Sequence, residues 1–492
     1  MKTIQAWREE IGNGQLDQAL VPLYGDKPEE KKQRFLRLLD SFASRFGEER
    51  EVVLLSVPGR SELAGNHTDH NHGRVIASSI DLDMIAVAAP REDGVICMDS
   101  EGFEALKVTP AMTEQPDEAL FGTSASLVAG MVHGMRESGF AVGGFDAVAT
   151  SDVLRGSGLS SSAAYEVMIG AILNHLYNDG SVDALTIAKL AQKAENVFFG
   201  KPCGLMDQCA CAIGGIVALD FADPSAPVVD AIPFDLTAAG YALCIVDTGG
   251  NHADLTPDYA AVPAEMKAVA AALGKSVLRE TDEAEVRAIL PMLRRNFGDR
   301  AVLRTLHFFK ENARVTEMQS ALHEGRLEDY FAGVRASGRS SFCYLQNVFT
   351  TINVKEQGLS LALCLCDELL LELCTLGAVL LESCGEDDSI LDSCCLEVVK
   401  LGDDECVLDD DDCEVDGLSD VNDALVCGNS LDHLLLWVDG VQVLQLESCV
   451  DEVGDDHSAD LRCVVGCTDD SDRFWVKETF HRWRMWLFHY KA

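Results

Sequence analysis

A chain of 492 residues with 47% hydrophobic content is long enough for two or three domains and apolar enough for a large packed core. Its formal net charge of −42 argues against nucleic acid and anionic membrane as partners, because both are polyanions that attract basic surfaces. The opening MKTIQAWREEIGNG has no secretory core, and the longest uncharged apolar runs, 359–366 and 373–381, fall short of the roughly 20 residues needed to span a bilayer. A cytoplasmic protein with reduced cysteines is expected.

Residues 1–50 read as helical, with Phe35, Leu38, Leu39 and Phe42 at helix spacing, and a strand is expected at 52–57. Directly after it, 58–71 reads PGRSELAGNHTDHN. Arg60, Glu62, Asn66, His67, Asp69, His70 and Asn71 crowd one post-strand loop, which is costly unless the loop binds something polar. A His-rich metal site and a hydrogen-bonded surface loop are the alternatives. Further strands are expected at 85–89 and 145–151. Residues 155–164, RGSGLSSSAA, then run into a helix at 162–176. Gly156 and Gly158 permit a tight turn, and the serines stand where the helix begins. Backbone N–H groups and the positive end of the helix dipole converge there, which suits a phosphate. Serine hydroxyls can meet phosphate oxygens or Mg²⁺; the plainer alternative is a glycine-rich turn capped by serine.

A helix at 184–197 ends near Gly200 and Pro202 within ENVFFGKPCGLMDQ (195–208), which carries Glu195 and Asp207. Either carboxylate taken alone is a helix cap or half of an ion pair. Cys209-x-Cys211 has metal-like spacing but lacks a second ligand pair. Strands at 216–220 and 242–246 flank the proline-rich stretch 223–233, which marks a boundary, and a helix at 258–273 stops at Gly274. Interleaved strands and helices argue for an α/β or α+β enzyme and against an all-β fold or a helix bundle. From Asp367 to Ala492 the chain holds 32 Asp and Glu against 7 Lys and Arg, with no Lys or Arg between Lys400 and Arg462. Charge of one sign in such blocks usually stays solvated, so 369–492 is expected to be an atypical acidic, Cys-rich tail; the alternative is a real acidic domain, since Leu, Val and Cys recur often enough for poor strands.

Four segments resemble one family. PGRSELAGNHTDHN resembles the galactokinase signature GRxNxxGEHTDYN, GSGLSSSAA resembles the phosphate loop of GHMP kinases, and CGLMDQ resembles the family's CGIMDQ. DTGGNHADLTPDY (247–259) resembles the galactokinase stretch whose tyrosine reaches the sugar. The likeness runs in the family's order from about residue 58 to about residue 365. It implies an α+β, two-domain GHMP-kinase-like architecture with the second domain's sheet incomplete. An N-terminal domain would occupy 1–235, the first part of a C-terminal domain 236–368, and the tail 369–492. The implied activity is ATP-dependent phosphorylation of galactose to galactose 1-phosphate by a monomer, with ATP and the sugar as partners.

The resemblance also implies roles. Asp207 would be the catalytic base, and Arg60 would hold it ionised and offset charge on the phosphoryl group. Gly156, Ser157, Gly158, Leu159, Ser160, Ser161 and Ser162 would cradle ATP, and Ser162 with Glu195 would hold Mg²⁺. Asn66, His67, Thr68, Asp69 and Tyr259 would grip the sugar. Three departures stand out. Asn66 replaces the family's glutamate, and Tyr259 is followed by Ala260, Ala261, Val262 and Pro263 in place of paired arginines. The C-terminal GGGFGG-type motif is absent; the chain there reads LELCTLGAVLLESCGEDDS, and a shifted reading frame near 364–372 would explain the change. The rivals are a non-catalytic sugar or nucleotide binder and a kinase for another sugar, such as an N-acetylated hexosamine.

Overall fold

The computed structural model describes residues 1–25, 28–153, 158–201, 203–247, 256–350, 354–355, 357–372, 378–382 and 393–398. Two compact units divide the chain at Pro233/Phe234. In the first unit the short strand β1 (Lys2–Thr3) leads into helices α1 (Ile4–Gly12), α2 (Asp17–Tyr24) and α3 (Pro28–Phe46). Thr3 caps α1 by accepting the Ala6 N–H at 3.2 Å. Strands β2 (Glu51–Ala64), β3 (Arg74–Arg91), β4 (Ile96–Ser100) and β5 (Leu106–Val108) follow, then α4 (Ser124–Glu137) and β6 (Gly144–Ser151). Helices α5 (Ser161–Tyr177), α6 (Ala184–Ala194) and α7 (Met206–Ile213) precede β7 (Ile216–Asp220) and β8 (Val228–Ile232).

These strands form one open sheet in the order β1-β2-β3-β6-β4-β5, with β7 joined to β3 and β8 joined to β7. Strand β3 is its spine. It pairs antiparallel with β2 on one side, and on the other with β7 over Arg74–Ser78 and with β6 over Met84–Arg91. Side chains alternate across a strand. Met84, Ala86 and Ala88 accordingly pack with α4 and α5, while Ile85, Val87 and Ala89 pack with Phe35, Leu39 and Phe42 of α3. Helices on both faces explain why this stretch is apolar at every position.

Strand β2 corrects one expectation. It continues past residue 57 to Ala64, so Pro58, Arg60 and Glu62 lie in a strand and not in a loop. Proline cannot donate to a ladder, and the register shifts between Pro58 and Arg60 and again between Glu62 and Ala64. Those irregularities let a strand carry a proline and re-aim the polar side chains around it. The loop itself is residues 65–73.

In the second unit come β9 (Ala242–Asp247), α8 (Thr256–Ala272), α9 (Glu283–Ala288), α10 (Leu290–His323), α11 (Leu327–Ser340) and α12 (Gly358–Glu372). Helix α10 is broken at Gly298, whose φ is 84°. Val262, Met266 and Val269 of α8 pack against Val302 and Phe308 of α10. Buried Arg304 donates from Nε to the Leu345 carbonyl at 2.9 Å and from Nη1 to Glu265 at 3.1 Å. Strands β10 (Ala378–Glu382) and β11 (Ser393–Val398) join β9 in a three-stranded antiparallel sheet of order β10-β11-β9. Both come from the acidic segment expected to begin at residue 369, and α12 runs across that position. Residues 399–492 lie outside the described residues.

Candidate active site

The first unit's site begins with Arg60 on β2. Its guanidinium is fully buried. Nε donates to Asp207 Oδ1 at 2.8 Å, Nη2 donates to Asp207 Oδ2 at 2.6 Å, and Nη1 donates to the Gly158 carbonyl. The Arg60 backbone N–H reaches the Leu159 carbonyl at 3.2 Å. Such close approach requires Gly59, because a Cβ there would lie 2.9 Å from the Leu159 oxygen. Asp207 sits in the first turn of α7, where the helix dipole favours a carboxylate. It is 4% exposed and takes a further hydrogen bond from Ser160 Oγ. Burial alone would push the Arg60 guanidinium down; the charge and hydrogen bonds of Asp207 outweigh it and hold the group above its ordinary value.

Gly156 and Ser157 lie outside the described residues. The turn resumes at Gly158 (φ 72°) and Ser160 (φ 58°), both left-handed, and α5 starts at Ser161 with Ser161 and Ser162 partly exposed. Leu159 is buried. Ser160, which the resemblance assigns to the phosphate cradle, turns its hydroxyl to Asp207.

In the 65–73 loop, Asn66, His67 and Thr68 are buried and Asp69 is half-buried. Gly65 has a φ of 108°, and a Cβ there would lie 2.5 Å from the Arg74 carbonyl. The Thr68 hydroxyl is shared between the carbonyls of Gly65 (2.8 Å) and Arg74 (2.7 Å), so it closes the loop. Asp69 Oδ1 accepts the His70 N–H at 2.8 Å, and the rings of His67 and His70 stack with centroids 6.0 Å apart. Tyr259 is half-buried on α8 of the second unit.

Helix α6 passes into a single wide turn, Glu195–Phe199. Gln208 Nε2 donates to Glu195 Oε2 at 2.9 Å and to Glu166 Oε2 at 3.3 Å. Among the described residues no group of three or more His, Cys, Asp or Glu is arranged to hold a metal. Cys209 is buried among apolar neighbours, and burial pushes its thiol up to about 12. The resemblance assigns no role to Gln208 or Glu166 and does not imply the contact of Ser160 with Asp207. The only signal for Gln208 was its place beside Asp207.

Residues 40–90 match the galactokinase galactose-binding signature, and residues 125–215 match the GHMP kinases N terminal domain. The galactokinase of Streptomyces coelicolor is 35% identical over 294 residues, which is 58% of this chain and 73% of that protein. The chain belongs to the galactokinase family. The galactokinase of Pyrococcus furiosus is 32% identical over 280 residues, 56% of this chain and 73% of its own length. The crystal structure of Lactococcus lactis galactokinase complexed with galactose matches with a TM-score of 0.60 at 25% identity, over 73% of this chain and 88% of that one. The galactokinase-like α+β fold expected from the motifs is therefore the fold observed. The two matched stretches contain Arg60 and Asp207 respectively, so the buried pair joins the galactokinase signature to the GHMP kinase domain.

Proposed function

We propose that this chain transfers the γ-phosphoryl group of ATP to the anomeric hydroxyl of galactose, forming galactose 1-phosphate and ADP. The observation that carries this reading is the buried Arg60–Asp207 pair set against the turn that opens α5. Phosphoryl transfer asks for alignment and charge stabilisation more than for covalent chemistry. The anomeric O–H gives its proton to an Asp207 carboxylate oxygen. Its oxygen bonds to the γ-phosphorus as the bridging P–O bond breaks, and ADP leaves with that electron pair. Arg60 and Ser160 fix the carboxylate, so its orientation is set before substrate arrives. Residues 156–162 receive the ATP phosphates at the N-terminus of α5.

Asn66, His67 and Asp69 bind the sugar, with Thr68 shaping their loop; Tyr259 is assigned to the sugar on the resemblance alone. Ser162 and Glu195 would hold Mg²⁺, because a hydroxyl and a carboxylate are the hard oxygen donors this ion takes together with substrate phosphates. When bound, the ion offsets the negative charge of those phosphates. This reading places the chain in the cytoplasm as a monomer. Among the described residues no helix is long and apolar enough to cross a membrane.

Asn66 favours a second reading of the sugar. It is buried, and an amide both donates and accepts where the family's glutamate only accepts. A hexose bearing an acceptor group, such as an N-acetylated hexosamine, suits it. Single-turnover reactions with ATP, Mg²⁺ and a sugar panel test both readings. Galactose 1-phosphate is the expected product; product from an N-acetylhexosamine alone moves the specificity. Ligand-dependent melting with no product from any sugar leaves a binding protein.

A further inference from the structure

Gln208 takes no part in the chemistry above, yet it is as buried as the pair that does. Successive helix positions point about 100° apart, so Asp207 faces Arg60 while its neighbour faces α5 and the wide turn after α6. There one amide nitrogen stands 2.9 Å from Glu195 Oε2 and 3.3 Å from Glu166 Oε2. Glu166, Glu195 and Gln208 are 0%, 3% and 1% exposed. An amide nitrogen has two protons, and here they are directed at the two carboxylates, with the Cys203 sulfur a longer contact at 3.6 Å. The flipped orientation would aim Oε1 at two negative groups, so chemistry fixes which atom is nitrogen. In this orientation Gln208 Oε1 is buried without a hydrogen-bond partner. An unsatisfied buried acceptor is costly, so the nitrogen's contacts dictate the pose.

We propose that Gln208 is a positioning residue that holds Glu195 ready to ligate the divalent cation, by bridging Glu195 and Glu166 and offsetting their repulsion. Like charges in a water-poor interior repel more strongly than in water. Without the amide, Glu195 turns away from Glu166 and loses its set orientation. Groups behind a metal ligand typically change metal affinity about 10–100-fold when removed. The inference rests on the reading of Glu195 as a metal ligand.

The test measures Mn²⁺ binding by electron paramagnetic resonance with a non-hydrolysable ATP analogue, beside the Mg²⁺ dependence of turnover. Gln208→Met is expected to weaken Mn²⁺ binding about tenfold or more and to raise the Mg²⁺ needed for half-maximal rate by a like factor. The melting shift produced by galactose alone stays as in the wild type. If Glu195→Gln leaves Mn²⁺ binding intact, the metal-ligand reading falls. If Glu195→Gln weakens binding and Gln208→Met does not, the positioning role alone is wrong. Should Gln208→Met not fold, Gln208→Asn replaces it, with the same loss expected because the amide, one methylene shorter, no longer spans the two carboxylates. Glu166→Gln is expected to leave Mn²⁺ affinity unchanged or tighter; a loss matching Glu195→Gln would make Glu166 a ligand and overturn the account.

Discussion

Replacing Asp207 with asparagine keeps the shape of the side chain and removes its charge, which isolates what the carboxylate does. Arg60, fully buried, then loses its bidentate counter-charge. Breaking a buried pair from one side costs about 3–5 kcal/mol. The Gly158 carbonyl still accepts from Arg60 and Glu62 still acts on its charge, which favours the lower end of that range. For a unit of this size about 3 kcal/mol lowers Tm by roughly 6–12 °C. Loss of a positioned base lowers kcat by about a hundredfold or more. Adding Arg60→Met to Asp207→Asn removes the stranded charge, so the double variant melts higher than Asp207→Asn alone while activity stays lost. Circular dichroism melts and coupled ADP-release kinetics read both effects. An asparagine variant within about tenfold of the wild-type rate would refute the role of Asp207 as base.

Ser160→Gly removes one charge-assisted bond to Asp207 while keeping the left-handed backbone, and should cut kcat by about 10–100-fold. Calorimetry should show galactose affinity unchanged; a loss of affinity equal to the loss of rate would contradict this. Gly65→Ala forces a Cβ to 2.5 Å from the Arg74 carbonyl at a φ of 108°, so the loop must shift. The melting shift from galactose should vanish while that from ATP persists, and retention of both would show that the loop does not bind the sugar. Cys209, with its thiol pushed up to about 12 by burial, should resist iodoacetamide in the native state while exposed Cys343 reacts. Peptide mass spectrometry before and after denaturation checks this, and equal labelling of both would show that Cys209 is open to solvent.

Regular elements were legible wherever one periodicity dominated. The expected helices at 162–176 and 258–273 appear as Ser161–Tyr177 and Thr256–Ala272, and the strand at 216–220 matches Ile216–Asp220. Of strand β3 the sequence shows only 85–89, because Ser78, Ser79, Asp81 and Asp83 look like loop residues. Asp83 is tolerated in a buried strand because Tyr24, Arg34 and Ser56 (2.6 Å) all donate to it, and two of these come from helices far along the chain. The polar stretch of β2 was hidden for the same reason: Arg60 belongs in a strand only once Asp207 is in place. Motif order carried the likeness to the family, but no local pattern shows that Ser160 turns to Asp207 or that Gln208 bridges two carboxylates.

The 147 positions that separate Arg60 from Asp207 also set a schedule for biosynthesis. At ordinary translation speeds the ribosome takes about 7–30 s to add that much chain. Once Arg91 has been added, the β2–β3 hairpin exists for the rest of that interval with its guanidinium lacking the carboxylate that will neutralise it. Early compaction around Arg60 would strand a cation in an apolar interior, so the nascent hairpin's site end should stay hydrated while its apolar end docks on α3. Closure of the pocket then waits for α7. A ribosome stalled before residue 207 should carry an Arg60 that arginine-specific proteases and glyoxal reagents still reach, and release of α7 from the exit tunnel should end that access.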